Sequence, residues 1–140
     1  MSCRCESYQV SPGAPVGLAD TSLFIAAEAD RPLAGAPPER IMVSIVTIAE
    51  LRVGVLATPD LAMRNRRLAT LQQAQALMPL MIDDDVATAW AELRVRLRDA
   101  GRSMPVNDSW IAATALAAGV PVVTQDADYD GVPGLTVIRV

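Results

Sequence analysis

Short β-branched apolar runs alternate along this chain with longer stretches whose apolar residues recur at helical spacing. Val16-Gly17-Leu18-Ala19 reads as a strand that ends in Asp20-Thr21-Ser22, and a helix over 23–28 follows. Residues 31–38 hold three prolines and a glycine and form a breaker-rich loop. Ile41-Met42-Val43-Ser44-Ile45 is the second strand. Thr47 to Leu56 is a helix with Leu51 and Val55 four apart on one face. Pro59 suits the first position of a longer helix to about residue 77, with Leu61, Leu68 and Leu71 as its apolar stripe. Met78-Pro79-Leu80-Met81-Ile82 reads as a third short strand, with Pro79 arguing for its start or for an edge position. Asp83-Asp84-Asp85 then starts a helix that Trp90, Leu93 and Leu97 pattern, and Gly101 stops it.

The most informative stretch comes next. A helix over 106–118, with Asn107 or Asp108 as its cap, stops at Gly119, where a left-handed residue belongs. Val120-Pro121-Val122-Val123 is the apolar run of a strand covered on both faces, and it ends in Thr124-Gln125-Asp126. Residues 135–140 supply a last strand. This alternation predicts an α/β fold, a three-layer α/β/α sandwich with a mainly parallel central sheet.

Length and composition narrow the chemistry. The 140 residues make one domain, which we place over 16–140 behind a flexible N-terminal arm over 1–15. No apolar run reaches the roughly 18 residues of a membrane span, and the N-terminus lacks the apolar core of a secretion signal. Net charge is −4, so the overall field does not attract nucleic acid; a local arginine patch or a bound cation has to. Histidine is absent, and all 12 basic residues are arginines. That removes histidine bases, triads and metal ligands, and also lysine nucleophiles and phosphate-loop lysines. Cys3 and Cys5, the only cysteines, are too close to build a zinc site alone and read as a surface feature. Carboxylates, hydroxyls and guanidiniums remain.

Four acids fall where strands end or helices begin: Asp20, Glu50, Asp108 and Asp126. Each has an ordinary structural use. Asp20 suits a helix cap, and Thr47 with Glu50 matches a capping box. Asp108 complements a helix dipole, and Asp126 forms an Asx-turn. In a parallel sheet, however, strand ends and the helix starts that follow share one edge. Four carboxylates gathered there without lysine or histidine repel one another, which raises a pKa or recruits a cation. Hard oxygen ligands suit Mg²⁺ or Mn²⁺, which lower the pKa of bound water and bridge to phosphate.

Leu18-Ala19-Asp20-Thr21-Ser22, Thr47-Ile48-Ala49-Glu50-Leu51, the stretch from Asn107-Asp108-Ser109-Trp110 to Ala115, and Val123-Thr124-Gln125-Asp126-Ala127-Asp128-Tyr129 resemble, in order, the four motifs of the PIN-domain nucleases, most nearly the VapC-type toxins of bacterial toxin–antitoxin pairs. The resemblance covers about residues 16–140. It implies a cytoplasmic Mg²⁺- or Mn²⁺-dependent endoribonuclease, a homodimer held inactive by a cognate antitoxin. Its RNA substrate would be tRNA or rRNA, cut by water to leave a 5′-phosphate and a 3′-hydroxyl. By position, Asp20, Glu50, Asp108 and Asp126 would be the catalytic, metal-binding set, with Asp128 an accessory ligand. Thr21, Ser22 and Thr124 would position ligands or the scissile phosphate. The antitoxin tail would enter a groove near the early helices, lined by Leu23, Phe24, Leu51, Val55 and Leu56. The arm before the first strand departs from the family, whose members often start at that strand.

Other features compete less well. Asp126 to Gly131 imitates an EF-hand start, but Val137 stands where a bidentate Glu is needed. Arg64, Arg66 and Arg67, like Arg94, Arg96 and Arg98, are solvated faces or contacts to RNA or to antitoxin acids. Trp90 and Trp110 read as core or dimer contacts. Two other functions stay open: a non-catalytic PIN-like binding module, and a metal-dependent phosphohydrolase of small phosphate esters. Ser22, standing two residues after Asp20 where a second Asp is needed, disfavours an aspartyl-phosphate route to the latter.

Overall fold

A computed structural model describes residues 14–140. The N-terminal arm expected over 1–15 therefore lies almost wholly outside the described residues, as do Cys3 and Cys5. Four strands form one sheet: β1 (Val16–Ala19), β2 (Arg40–Val43), β3 (Val122–Thr124) and β4 (Val137–Arg139). Every pairing is parallel, and the order is β2-β1-β3-β4. Five helices accompany it: α1 (Thr21–Glu28), α2 (Ile45–Ala57), α3 (Leu61–Gln75), α4 (Asp84–Asp99) and α5 (Val106–Ala118), and a 3₁₀ turn spans Ala127–Tyr129. The expected α/β architecture with its parallel sheet is present.

Two apolar clusters hold the layers together. Leu18 and Val122 of the central strands pack with Leu93 and Leu97 of α4 and Ile111, Ala112 and Ala115 of α5. Ile48 and Leu51 of α2 pack with Leu71 and Ala74 of α3, and Phe24 of α1 lies against them. Small residues let the layers approach. A Cβ at Gly17 would stand 2.4 Å from a Val123 methyl, so the close contact of β1 with β3 needs glycine there. Gly119 ends α5 at φ 69°, the left-handed stop anticipated for it.

Local details depart from the sequence reading. The strand expected over 78–82 shrinks to one parallel bridge between Ser44 and Leu80. Met78 has φ 56° and Pro79 has no N–H, so the backbone cannot run extended through that stretch. Asp60, not Pro59, begins α3, and its carboxylate accepts from Met63 N–H. Asn107 and Asp108 do not cap α5; Pro105 holds the cap position and both lie inside the first turn. Thr47 and Glu50 form no capping box, because Ser44 caps α2 by accepting from Val46 N–H.

The chain crosses from β1 to β2 on one side, and later returns to pair β3 on β1's other side. The sheet therefore changes winding direction at the β1/β3 boundary. In open parallel sheets the crevice at such a point, beyond the carboxyl ends of the strands, is where ligands bind. Asp20 follows β1 directly, and Asp126 lies two residues beyond β3.

Candidate active site

Asp20 is 4% exposed, and its carboxylate does not cap α1 although it occupies the cap position. Both its oxygens are taken by hydroxyls: Ser22 donates to Oδ1 at 2.6 Å and Thr124 to Oδ2 at 2.7 Å. Thr124 Oγ1 in turn accepts from Asp126 N–H at 2.8 Å, which ties the end of β3 to the end of β1. Burial holds the Asp20 carboxyl above the ordinary carboxylate range, although both hydroxyls pull it down.

Glu50 enters from the second turn of α2. The Thr21 hydroxyl donates to Glu50 Oε1 at 2.7 Å and lies 3.2 Å from the buried Thr47 hydroxyl. Thr21, Ser22 and Thr124 thus bond the acidic side chains themselves. Thr47 supports Thr21 rather than an acid, a residue the sequence reading treated as helix-capping; nothing in its local pattern distinguished the two uses.

The remaining acids crowd together. Asp108, in the first turn of α5, and Asp126 and Asp128, around the turn after β3, each place a carboxylate oxygen within 4.8 Å of the other two. Asp20 and Glu50 do not join this group, though Asp126 is near enough for its charge to raise Asp20. Asp108 is pushed up to about 7, first by burial and then by the charges of Asp126 and Asp128, against one lowering hydrogen bond from Tyr129. Among the described residues, no arginine pairs with any of these five acids. Asp126 also makes the Asx-turn expected of it, accepting from Asp128 N–H at 2.9 Å. The structural use and a ligand role coexist in one side chain.

The PIN-domain family model matches residues 18–135. The chain belongs to the PIN-domain family. It is 47% identical over 128 residues to Ribonuclease VapC5 of Mycobacterium tuberculosis, covering 89% of this chain and 95% of that protein. Ribonuclease VapC4 of the same organism is 48% identical over 128 residues, covering 88% and 95%. The crystal structure of VapBC-5 from M. tuberculosis, a member of the VapBC family of toxin-antitoxin systems, matches at TM-score 0.81 and 45% identity, over 89% of this chain and 98% of the other.

The donor set of this PIN domain suits a hard divalent cation. Three carboxylate oxygens lie within 4.8 Å of one another, with no arginine paired to them among the described residues, and hard oxygen donors of this kind suit divalent cations. Beside the acids a groove of about 260 Å³ opens between α1, α2 and α3, lined by Thr21, Ile25, Glu50, Leu51, Gly54 and Arg67 among others. Of the residues expected to line such a groove, Leu51 does so. Phe24 and Val55 pack instead into the cluster beneath, and Leu56 is 73% exposed. Trp90 and Trp110 stack at 4.3 Å between α4 and α5, with Arg94 over Trp90.

Proposed function

We propose that this PIN domain is the endoribonuclease toxin of a VapBC-type pair, dependent on Mg²⁺ or Mn²⁺. The observation that carries the reading is the meeting of Asp108, Asp126 and Asp128 at the sheet's winding reversal, beside Asp20 and Glu50. The relatives named ribonucleases, alike over nearly the whole chain, support the reaction class.

Asp108, Asp126 and Asp128 would hold the ion, with Asp20 and Glu50 completing the acidic pocket. A bound ion supplies an activated water and neutralises charge building on the phosphate. Thr124 and Ser22 hold the Asp20 carboxylate in place, and Thr21 does the same for Glu50. The first-turn N–H groups of α1 and α5 lie at the same edge and favour an anion there, which suits a phosphodiester. The products are a 5′-phosphate and a 3′-hydroxyl, and the substrate is a tRNA or an rRNA.

The cognate antitoxin occupies the groove beside Glu50. Support comes from Ile25 and Leu51 in its lining and from Arg67 beside them, an apolar floor with one guanidinium. The toxin works as a homodimer in the cytoplasm. No described helix is long and apolar enough to cross a membrane.

Sequencing RNA ends after induced expression tests the function directly. New 5′-phosphate ends in tRNA or rRNA are expected with the parent chain and are absent with Asp108→Asn. Equal cleavage by that variant, or none by the parent in millimolar Mg²⁺ or Mn²⁺, overturns the reading.

A further inference from the structure

Tyr129 is fully buried, and its ring packs in the main core with Leu18, Leu93, Met104, Ile111 and Val132. Its hydroxyl emerges from that apolar packing at one point only, where it donates to Asp108 Oδ1 at 3.2 Å. The turn carrying it is braced from outside. Arg102 donates to the main-chain carbonyls of Asp128 and Asp130, on either side of the tyrosine. Arg139 donates to the Gln125 carbonyl and to the Asp130 carboxylate. The ring therefore has little freedom to withdraw its hydroxyl. That hydroxyl is a donor set beneath a group of carboxylate acceptors.

We propose that Tyr129 is a positioning residue, whose buried hydroxyl fixes the Asp108 carboxylate in the orientation that lets Asp108, Asp126 and Asp128 share one divalent cation. The proposal rests on the reading of this pocket as a cation site. A core tyrosine needs some partner for its hydroxyl, and a purely structural one would be satisfied by any acceptor. This one meets a carboxylate whose other neighbours are acids. Left without the hydroxyl, Asp108 turns away from Asp126 and Asp128 to lessen the repulsion, and the ion must then restore the geometry at its own expense.

Calorimetric titration of Mn²⁺ into the parent and into Tyr129→Phe tests this, because phenylalanine keeps the buried ring and removes only the hydroxyl. A metal-oriented hydroxyl predicts Mn²⁺ affinity weaker by roughly ten- to hundredfold, as for other outer partners of metal ligands. A structural hydroxyl would lower the melting temperature and leave the affinity within twofold, and that result overturns the proposal while sparing the cation site. No Mn²⁺ binding by the parent removes both. A second measurement leaves Tyr129 in place. Tyr8→Phe makes Tyr129 the chain's sole tyrosine, and its near-ultraviolet difference band should shift as Mn²⁺ saturates Asp108. An unmoved band at saturation also overturns the proposal.

Discussion

Asp20 and Asp108 border the same crevice, yet they are held in different ways. Asp20 is buried, and each of its oxygens receives a hydroxyl from a neighbouring strand or helix. Asp108 is half-buried, receives one hydroxyl, and has Asp126 and Asp128 for company. Neutral dipoles that cost no counter-charge stabilise the first carboxylate. The second is left short of donors, so its charge is relieved only by a proton or a cation. Hydroxyls thus satisfy one side of the pocket, and the other keeps crowded negative charge, which under our proposal a cation relieves. Without an ion, the crowding of Asp108, Asp126 and Asp128 is a stability cost beside the burial cost of Asp20.

The sharpest way to break this contrast is Asp108→Asn. The amide keeps a partner for Tyr129 and removes one of three repelling charges. We expect Mn²⁺ affinity and RNA cleavage to fall by more than about a hundredfold, with an apo melting temperature at or above the parent's. A lower melting temperature with retained cleavage would reverse the assignment of the two sides. On the Asp20 side the cost should be structural. Thr124→Val strips a buried hydroxyl that donates to Asp20 and accepts from Asp126 N–H, leaving both unpaired. Urea denaturation should show a loss of roughly 2–3 kcal/mol, and a loss under half of that would show that water replaces the hydroxyl.

A pH series reads the Asp108 side without mutation, with the buried Asp20, also raised, adding a change of the same sign. Asp108 titrates near 3.8 when unfolded and at about 7 when folded, so between those values the folded state holds the extra proton. Stability contributed by that proton is present at low pH and is lost as pH rises from about 4 to 7. The apo melting temperature should therefore drop between pH 5 and pH 7.5, and saturating Mn²⁺ should reverse the trend. A flat profile would mean that the crowded acids are already compensated. The smallest effect belongs to the surface. Arg139→Ala removes an exposed pair with Asp130, and unfolding should change by about 1 kcal/mol or less.

Most of this arrangement was legible in the chain because two periodicities carry it. Val16 to Ala19 and Val122 to Val123 are continuous apolar runs, and a strand covered on both faces reads that way. Their ends carry acids, and parallel topology alone sends such ends to one edge. What was not legible was which partner each polar group chooses. Thr47 and Glu50 have capping-box spacing, yet Ser44 three residues earlier starts the helix and frees both for the site. Asp20 has a cap's position and the wrong bonds, because Thr124 reaches it from 104 residues away in sequence. Met78 to Ile82 has a strand's composition, but a left-handed Met78 and a proline leave one bridge. Tyr129 lies within the fourth motif, and only the packed core reveals that its hydroxyl reaches Asp108. Local pattern sets elements, while long-range hydrogen bonds select among the uses of each side chain.

Diffraction from crystals soaked in Mn²⁺, recorded at the manganese edge, tests the central claim most directly. The account predicts an anomalous peak among Asp108, Asp126 and Asp128, at about 2.1 Å from carboxylate oxygens. A fully soaked crystal with no peak there, or with manganese only elsewhere on the surface, would contradict it.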